Sequence, residues 1–277
     1  MQLSIRPLNT AEIGLAIEWA AGEGWNPGLA DAACFATVDP AGFRVAEVEG
    51  RPAAVISVVN YDARFAFLGF YIVRPELRGQ GIGFRLWQAG LAHAGERTIG
   101  LDGVVAQQAN YSRQGFVLSH RNIRFAGTPG PGEVGETVDL AQVPFEAVAA
   151  SDALVFPAPR AGFLKAWTTA PAHAGRAVLR DGRLAGWGVV RPARAGWKIG
   201  PLVAEDAEVA ETLFRALRAA AGDEPVVLDV PEPNEAALAL ARRHGLAPVF
   251  ETARMYRGSL RPATLAPLYG VTSFELG

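Results

Sequence analysis

The sequence predicts an α/β chain made of two similar halves joined by a short linker. Runs of strand and helix length alternate along the chain, the same order recurs after a Pro/Gly run, and core-type residues match between the two stretches. At ~150 residues per domain, 277 residues make about two domains.

In the first half, Gln2 to Arg6 alternates as a strand does. Asn9 stands where a helix N-cap belongs, with Glu12 three residues on, and the helix runs to about Ala21. Glu23-Gly24-Trp25-Asn26-Pro27-Gly28 breaks it, and Ala30 to Ala36 is a second helical patch. Phe43 to Glu49, Ala53 to Tyr61 and Ala66 to Val73 are β-rich runs split by short turn-forming segments, an antiparallel meander. A glycine-rich stretch, Arg78 to Gly83, opens a helix to Ala94. Thr98 to Leu101 reads as a short strand, Ala106 to Arg113 as a helix and Val117 to Phe125 as a strand. Thr128-Pro-Gly-Pro-Gly-Glu is the linker.

The second half repeats the order. Glu146 to Ser151 and Gly162 to Trp167 are helical, and Ala177 to Leu179 and Ala185 to Val190 are strands around an Asp181-Gly182 turn. Trp197 to Val203 is a strand, Ala207 to Ala221 a helix, Val226 to Val230 a strand, Glu235 to Arg243 a helix and Pro248 to Tyr256 a strand. Setting Ile72 against Ile199 without gaps brings Leu86 to Leu213 and Trp87 to Phe214. After a small shift, Arg113-Gln-Gly-Phe parallels Arg243-His-Gly-Leu. The domain expectation is 1–127, a linker 128–135, and 136–277.

Composition excludes several classes. The chain is 50% apolar and 19% charged, enough for a large core and unlike a disordered protein. A net charge of −2 provides no basic field for nucleic acid. The single cysteine, Cys34, forms no internal disulfide and reads as a small core residue. Four scattered histidines lack metal-ligand spacing, so no metal is expected. No apolar run nears the ~18 residues of a membrane helix, and the first residues lack a secretion signal. A soluble, cytoplasmic protein is expected, with neither membrane nor nucleic acid as partner.

The chemistry-bearing segment is Val73-Arg-Pro-Glu-Leu-Arg78-Gly79-Gln80-Gly81-Ile82-Gly83, a strand end, a loop, and glycines opening a helix. Glycines admit positive φ and close backbone approach. Backbone N–H groups at a helix start attract anions such as a pyrophosphate. The segment resembles the acyl-CoA loop of the GNAT acetyltransferase superfamily, Arg/Gln-x-x-Gly-x-Gly/Ala, with Arg78, Gly81 and Gly83 in the matching places. Tyr111-Ser-Arg-Gln-Gly115-Phe116 is similar to the family's Tyr-x-x-x-Gly-Phe, and the opening Ser-Ile-Arg-Pro-Leu to its first strand. The family's Asn about seven residues before the Tyr is absent; that place is near Val104.

The resemblance implies two tandem GNAT-like domains, each a mixed, mainly antiparallel central sheet flanked by helices, the second degenerate. It implies acetyl-CoA as co-substrate and transfer of an acetyl group to a primary amine of a small molecule. Tyr71, Ile72 and Val73 with Arg78, Gly79, Gln80, Gly81, Ile82 and Gly83 would hold the CoA. The thioester would sit where the 66–73 and 98–101 strands splay, an N–H of the first meeting the oxyanion. Tyr111 is the matched acid. Asp102 is the first candidate base, Glu23 the second, and a water chain the third. Trp25, Asn26 and Phe70, with Tyr269 and Glu275 from the last residues of the sequence, are candidate acceptor contacts. A non-catalytic acyl-CoA sensor and a protein N-acetyltransferase are the alternatives.

In the gap-free alignment Glu205, Asp206 and Glu208 stand where Arg78, Gly79 and Gly81 do, and Ala210 replaces Gly83. In the shifted register, Tyr111 meets Ala241. Three acids would repel a pyrophosphate. The second half is therefore expected to keep its fold, bind no CoA, and help build the acceptor site.

Overall fold

In the computed structural model, which describes residues 2–259 and 263–277, the first half forms β1 (Leu3–Pro7), α1 (Ile13–Gly22), α2 (Asp31–Phe35), β2 (Phe43–Val48), β3 (Arg51–Asn60), β4 (Phe65–Val73), α3 (Ile82–Ala94), β5 (Thr98–Val104), α4 (Gln108–Arg113) and β6 (Val117–Gly127). The second half forms β7 (Val138–Asp139), α5 (Phe145–Val155), α6 (Ala161–Thr169), β8 (Ala174–Arg180), β9 (Arg183–Pro192), β10 (Trp197–Ala204), α7 (Ala207–Ala220), β11 (Val226–Pro231), α8 (Glu235–Arg243), β12 (Ala247–Arg257) and β13 (Leu268–Gly270). The element order follows the sequence reading, with the two-residue β7 as an addition. The capping box is present: Asn9 Oδ1 accepts from Glu12 N–H at 3.1 Å, and Glu12 accepts from Asn9 N–H at 2.9 Å.

The strands join one sheet instead of two, in the order β1-β2-β3-β4-β5-β12-β6-β11-β10-β9-β8-β7, with β13 beside β10. β6, the last strand of the first half, and β12, the last long strand of the second, have each crossed to the other half. β12 runs antiparallel to β5, β6 runs antiparallel to β11, and β6 and β12 pair with each other. The strand predicted to stop at Leu101 therefore reaches Val104, because Asp102, Gly103 and Val104 face Arg254, Ala253 and Thr252. Residues of α3 and α4 pack on one face of the sheet together with those of α7 and α8, and α1, α2, α5 and α6 cover the other.

The duplication is visible in the packing. α3 buries Ile82, Leu86, Trp87, Gly90 and Ala94, and Val209, Leu213, Phe214, Leu217 and Ala221 are their buried counterparts at constant spacing. The strands do not follow that spacing. Ile72, first after the register shift of β4, stands ten residues before Ile82, whereas Leu202, first after the shift of β10, stands seven before Val209. Between these matched points of strand and helix the second half is three residues shorter, so the gap-free alignment holds in the helix and fails in the strand.

Two buried ion pairs lock the crossed strands, and they are copies of each other. Asp102 of β5 takes Arg254 of β12 at 2.8 and 2.6 Å, and Asp229 of β11 takes Arg124 of β6 at 2.7 and 2.8 Å. Each aspartate belongs to one half and each arginine to the crossed strand of the other. A third buried pair, Asp31 of α2 with Arg191 of β9 at 2.9 Å, also joins the halves. Such pairs specify which groups may meet, since one partner left alone inside is costly, about 3–5 kcal/mol.

Lys198 of β10 lies among these charges, 2% exposed, and its Nζ has no hydrogen-bond partner among the described residues. Burial, then Arg124 and Arg191, push its ammonium down to about 8 against the pull of Glu275 and Asp229. Between that value and the ordinary 10.5, the unfolded chain holds a proton that the folded chain has lost, so stability rises with pH there. The Tm advantage of Lys198→Met over the wild type is therefore expected to be largest near pH 7 and to shrink towards pH 10. A difference independent of pH would show that the buried ammonium carries no such penalty.

Candidate active site

The site begins with an irregularity in β4. Phe65 and Phe67 face the α1 side and Ala66 and Leu68 the α3 side, as alternation requires. Gly69 pairs with Ser57 and Ile72 with Val55, so Phe70 and Tyr71 together oppose Ile56 alone. The extra residue makes a β-bulge and resets the alternation. Phe70 and Ile72 face the α1 side, Tyr71 and Val73 the α3 side. Phe70 sits at φ +48°, a left-handed conformation that a bulky residue adopts only where its surroundings hold it.

On its other edge, β4 pairs in parallel with β5 only from Phe65–Thr98 to Leu68–Leu101. Beyond that point the strands diverge around a cleft of about 530 Å³. Among the described residues no strand pairs with that edge of β4 from Gly69 to Val73, which leaves backbone groups facing the cleft.

The glycine loop forms one end. Gly79 and Gly81 both have φ +79°, and Gly81 caps α3, so the first N–H groups of the helix point out of its start. A Cβ on Gly83 would lie 2.6 Å from the Tyr71 hydroxyl and 2.8 Å from Val73, so only glycine lets α3 start against β4. Half-exposed Arg78 donates to the Val73 carbonyl at 2.9 Å and to Glu23 at 2.7 Å, tying the loop to the end of α1. Gln80 and Ile82 do not line the cleft. Gln80 donates to the Glu76 carbonyl at 3.2 Å, and the Ile82 side chain is 1% exposed in the core under the loop.

Midway along the cleft, Trp87 stacks on Tyr111 at 5.7 Å and meets Tyr71 edge-on at 5.3 Å. Burial, reinforced by Tyr71, pushes the Tyr111 phenol up to about 12, so it stays protonated at neutral pH. At the far end the wall comes from both halves: Trp25, Arg124, Phe250, Thr252, Phe274 and Glu275. The last two lie on segment 271–277, which runs from β13 into the first half and is buried throughout. Tyr61 donates to the Leu276 carbonyl at 2.8 Å, and Arg160, paired with Asp152, donates to Thr272 at 2.8 Å. A Cβ on Gly69 would lie 2.0 Å from the Glu275 carbonyl oxygen, so this glycine lets the segment cross β4.

Besides Gln80 and Ile82, three more of the expected site residues stand differently. Asp102, the first candidate base, lies inside β5 beside the cleft with no side-chain exposure. Both its oxygens take Arg254, and Asn122 adds a third bond at 2.8 Å. Asn26 binds the backbone of Ala195 through both its amide atoms, at 2.9 and 2.8 Å, and so clamps its loop to the β9–β10 turn instead of facing the cleft. Tyr269 packs in the second half's core beside Leu202, Leu228 and Leu240. Glu23, Trp25, Phe70 and Glu275 do line the cleft. Arg124, Phe250, Thr252 and Phe274 carried no local signal; only the crossing of the strands and the path of the last segment bring them there.

The second half has filled its equivalent gap. The parallel pairing of β10 with β11 ends at Ile199–Leu228, but β13 then pairs with β10, and Val271 N–H donates to the Asp229 carbonyl at 2.8 Å. Glu205 and Asp206 alone connect β10 to α7. With Glu208 they surround Arg180, 2.9 Å from Glu205 and 3.0 Å from Glu208, and Arg183 joins Glu205 at 3.0 Å.

A bulged, splayed strand pair with a glycine-capped helix beside it is the architecture of an acyl-group transferase. Residues 13–116 match the model of the acetyltransferase (GNAT) family, and residues 148–270 match that of an acetyltransferase (GNAT) domain. A holothin acyltransferase from Pseudoalteromonas sp. (strain SANK 73390) is 31% identical, over 98% of this chain and 94% of its own. The chain belongs to the GNAT family and is an acyltransferase of tandem-GNAT type. The fold is shared with a Pyrococcus horikoshii protein provisionally named an acetyltransferase, at TM-score 0.84 and 23% identity over 99% of this chain and 96% of that one. A tandem GNAT protein of the clavulanic acid biosynthesis pathway has TM-score 0.61 and 18% identity, over 92% and 98%. Among the described residues no helix is long and apolar enough to cross a membrane.

Calorimetric titration is expected to find one CoA per chain and none in Gly81→Glu. The space around Gly81 is open, but its φ of +79° strains any side chain there by about 1–3 kcal/mol, so the Tm of the variant is measured beside its binding, and the carboxylate would repel the phosphates. Two CoA per chain would mean that the second half binds as well.

Proposed function

We propose that the chain transfers the acetyl group of acetyl-CoA to the primary amine of a small molecule. The observation that carries this reading is the cleft itself. It runs from a glycine-capped helix start, along an unpaired strand edge and past Tyr111, to an aromatic wall supplied by both halves. The open space at Gly79 and Gly81 and the free edge of β4 fit a pyrophosphate followed by an extended amide-bearing arm.

The residues divide the work along the cleft. The N–H groups of the Gly79–Gly83 turn receive phosphate, and the Tyr71–Val73 backbone receives the arm. At the bulge, a backbone N–H of β4 meets the negative charge that develops on the carbonyl oxygen when the amine attacks. Holding amine and thioester together supplies much of the rate. Tyr111 at about 12 is a weaker acid than a thiol near 8.5. It therefore donates a hydrogen bond to the sulfur as the C–S bond breaks, while the proton that ends on sulfur comes from the attacking nitrogen. Trp25, Phe70 and Phe274 give the acceptor's body an apolar wall, and Glu275 sets a carboxylate at its end.

Thiol release from acetyl-CoA is expected with at least one member of a panel of small primary amines that includes n-butylamine and 2-phenylethylamine. Tyr111→Phe is expected to lower kcat by ~10²-fold with CoA affinity unchanged. Because burial holds the phenol up, the wild-type kcat is expected not to fall from Tyr111 ionisation between pH 7 and 9. CoA binding without release above background for any amine would overturn the reading in favour of a sensor.

A further inference from the structure

The two copied ion pairs, Asp102–Arg254 and Asp229–Arg124, have the same chemistry and equivalent places in the duplicated fold. Their surroundings differ. Arg254 lies over Phe67 at 5.1 Å, inside the core. Arg124, 5% exposed, lines the cleft and touches three parts of its wall. Its Nη1 donates to the Trp25 carbonyl at 2.8 Å. Its guanidinium lies 4.7 Å from the centre of the Phe274 ring and 5.8 Å from that of Phe250, and those two rings are 6.5 Å apart. Phe250 lies on β12 directly opposite Arg124 in the β6–β12 ladder, whereas Trp25 follows α1 and Phe274 lies on segment 271–277, and among the described residues no strand ladder joins those two to Phe250.

We propose that Arg124 is the positioning residue of the acceptor wall, setting Trp25, Phe250 and Phe274 relative to one another from its anchor on Asp229. The anchor suits the role. Asp229 fixes the guanidinium with two parallel bonds, 2.7 and 2.8 Å, which leave one nitrogen for Trp25 and the planar face for the rings. The Asp229 carbonyl also takes Val271 N–H at 2.8 Å, so the same residue fixes the start of the segment that carries Phe274. Lysine keeps the charge but lacks both the fork and the flat face, so it can answer Asp229 and not hold the wall. The duplicated bridge has thus been put to two uses: Arg254 closes the sheet, and Arg124 closes the sheet and aligns the acceptor end. The inference rests on the reading that an acceptor binds at that end.

The test compares Arg124→Lys with its twin Arg254→Lys in the full chain labelled with 5-fluorotryptophan. The resonance of Trp25 among the six tryptophans is assigned by Trp25→Phe. Both variants are expected to lower Tm, but only Arg124→Lys should shift or broaden the Trp25 resonance. With 2-phenylethylamine as acceptor, Arg124→Lys is expected to raise the amine KM about tenfold or more, with CoA affinity unchanged. Asp229→Asn, which keeps the shape and loses the anchoring charge, should move the same resonance. A Trp25 resonance unchanged in Arg124→Lys, or moved equally by Arg254→Lys, would overturn the proposal, as would equal increases in the amine and acetyl-CoA KM values. The resonance is read without turnover. Should the wild type acetylate no amine, the functional reading fails while the positioning of Trp25 is still decided.

Discussion

The exchange of β6 and β12 between the halves is the constraint on which the rest of the molecule depends. β12 fills the edge of β5, and β6 lies between β12 and β11, so neither half closes its own sheet. An unpaired edge leaves a row of backbone groups without partners. The exchange also sets each buried aspartate against an arginine from the other half. Taking such charges out of water is costly, and a pair repays that cost only when both members arrive with good geometry. Register, strand order and the meeting of the halves are therefore fixed together.

The cleft follows from this arrangement. Parallel strands β4 and β5 separate after four paired residues, and the second of them stays ordered because β12 supports it as far as Val104. The bulge at Phe70–Tyr71 shifts the phase of the alternation, so Phe70 and Ile72 face the α1 side and Tyr71 and Val73 the α3 side. A molecule in the gap then has α3 and its glycine cap on one side and the aromatic wall on the other. The duplicated gap between β10 and β11 began with the same topology and is occupied by the chain's own β13. The segment leaving that filled gap continues into the open one, bringing Phe274 and Glu275 with it. One copy keeps an open cleft and the other supplies its far wall.

Local patterns made much of this legible. The capping box at Asn9, the meander of β2 to β4, the glycine loop and the Tyr111 helix rest on neighbours a few residues apart, where spacing and propensity act. The matched helix faces of α3 and α7 revealed the duplication because the 3.6-residue period preserves phase. The crossing of the strands was not legible. Alternation shows which side chains face a core and leaves open which strand lies alongside. Asp102 accordingly reads as a free candidate base, although its partner Arg254 is 152 positions away. Asn26 and Tyr269 read as acceptor contacts from the segments they sit in, while their partners, the Ala195 backbone and the second core, are set by tertiary contact. Arg124 is unremarkable within its own strand and gains its place only when Asp229 and Phe274 arrive from the other half.

The central claim is that the exchanged strands and their paired charges make two domain-length halves a single cooperative unit. Differential scanning calorimetry of the intact chain tests it directly. The account predicts one transition whose calorimetric and van't Hoff enthalpies agree. Two resolved transitions, each with the enthalpy of about half the chain, would contradict it and show that the halves melt as independent domains.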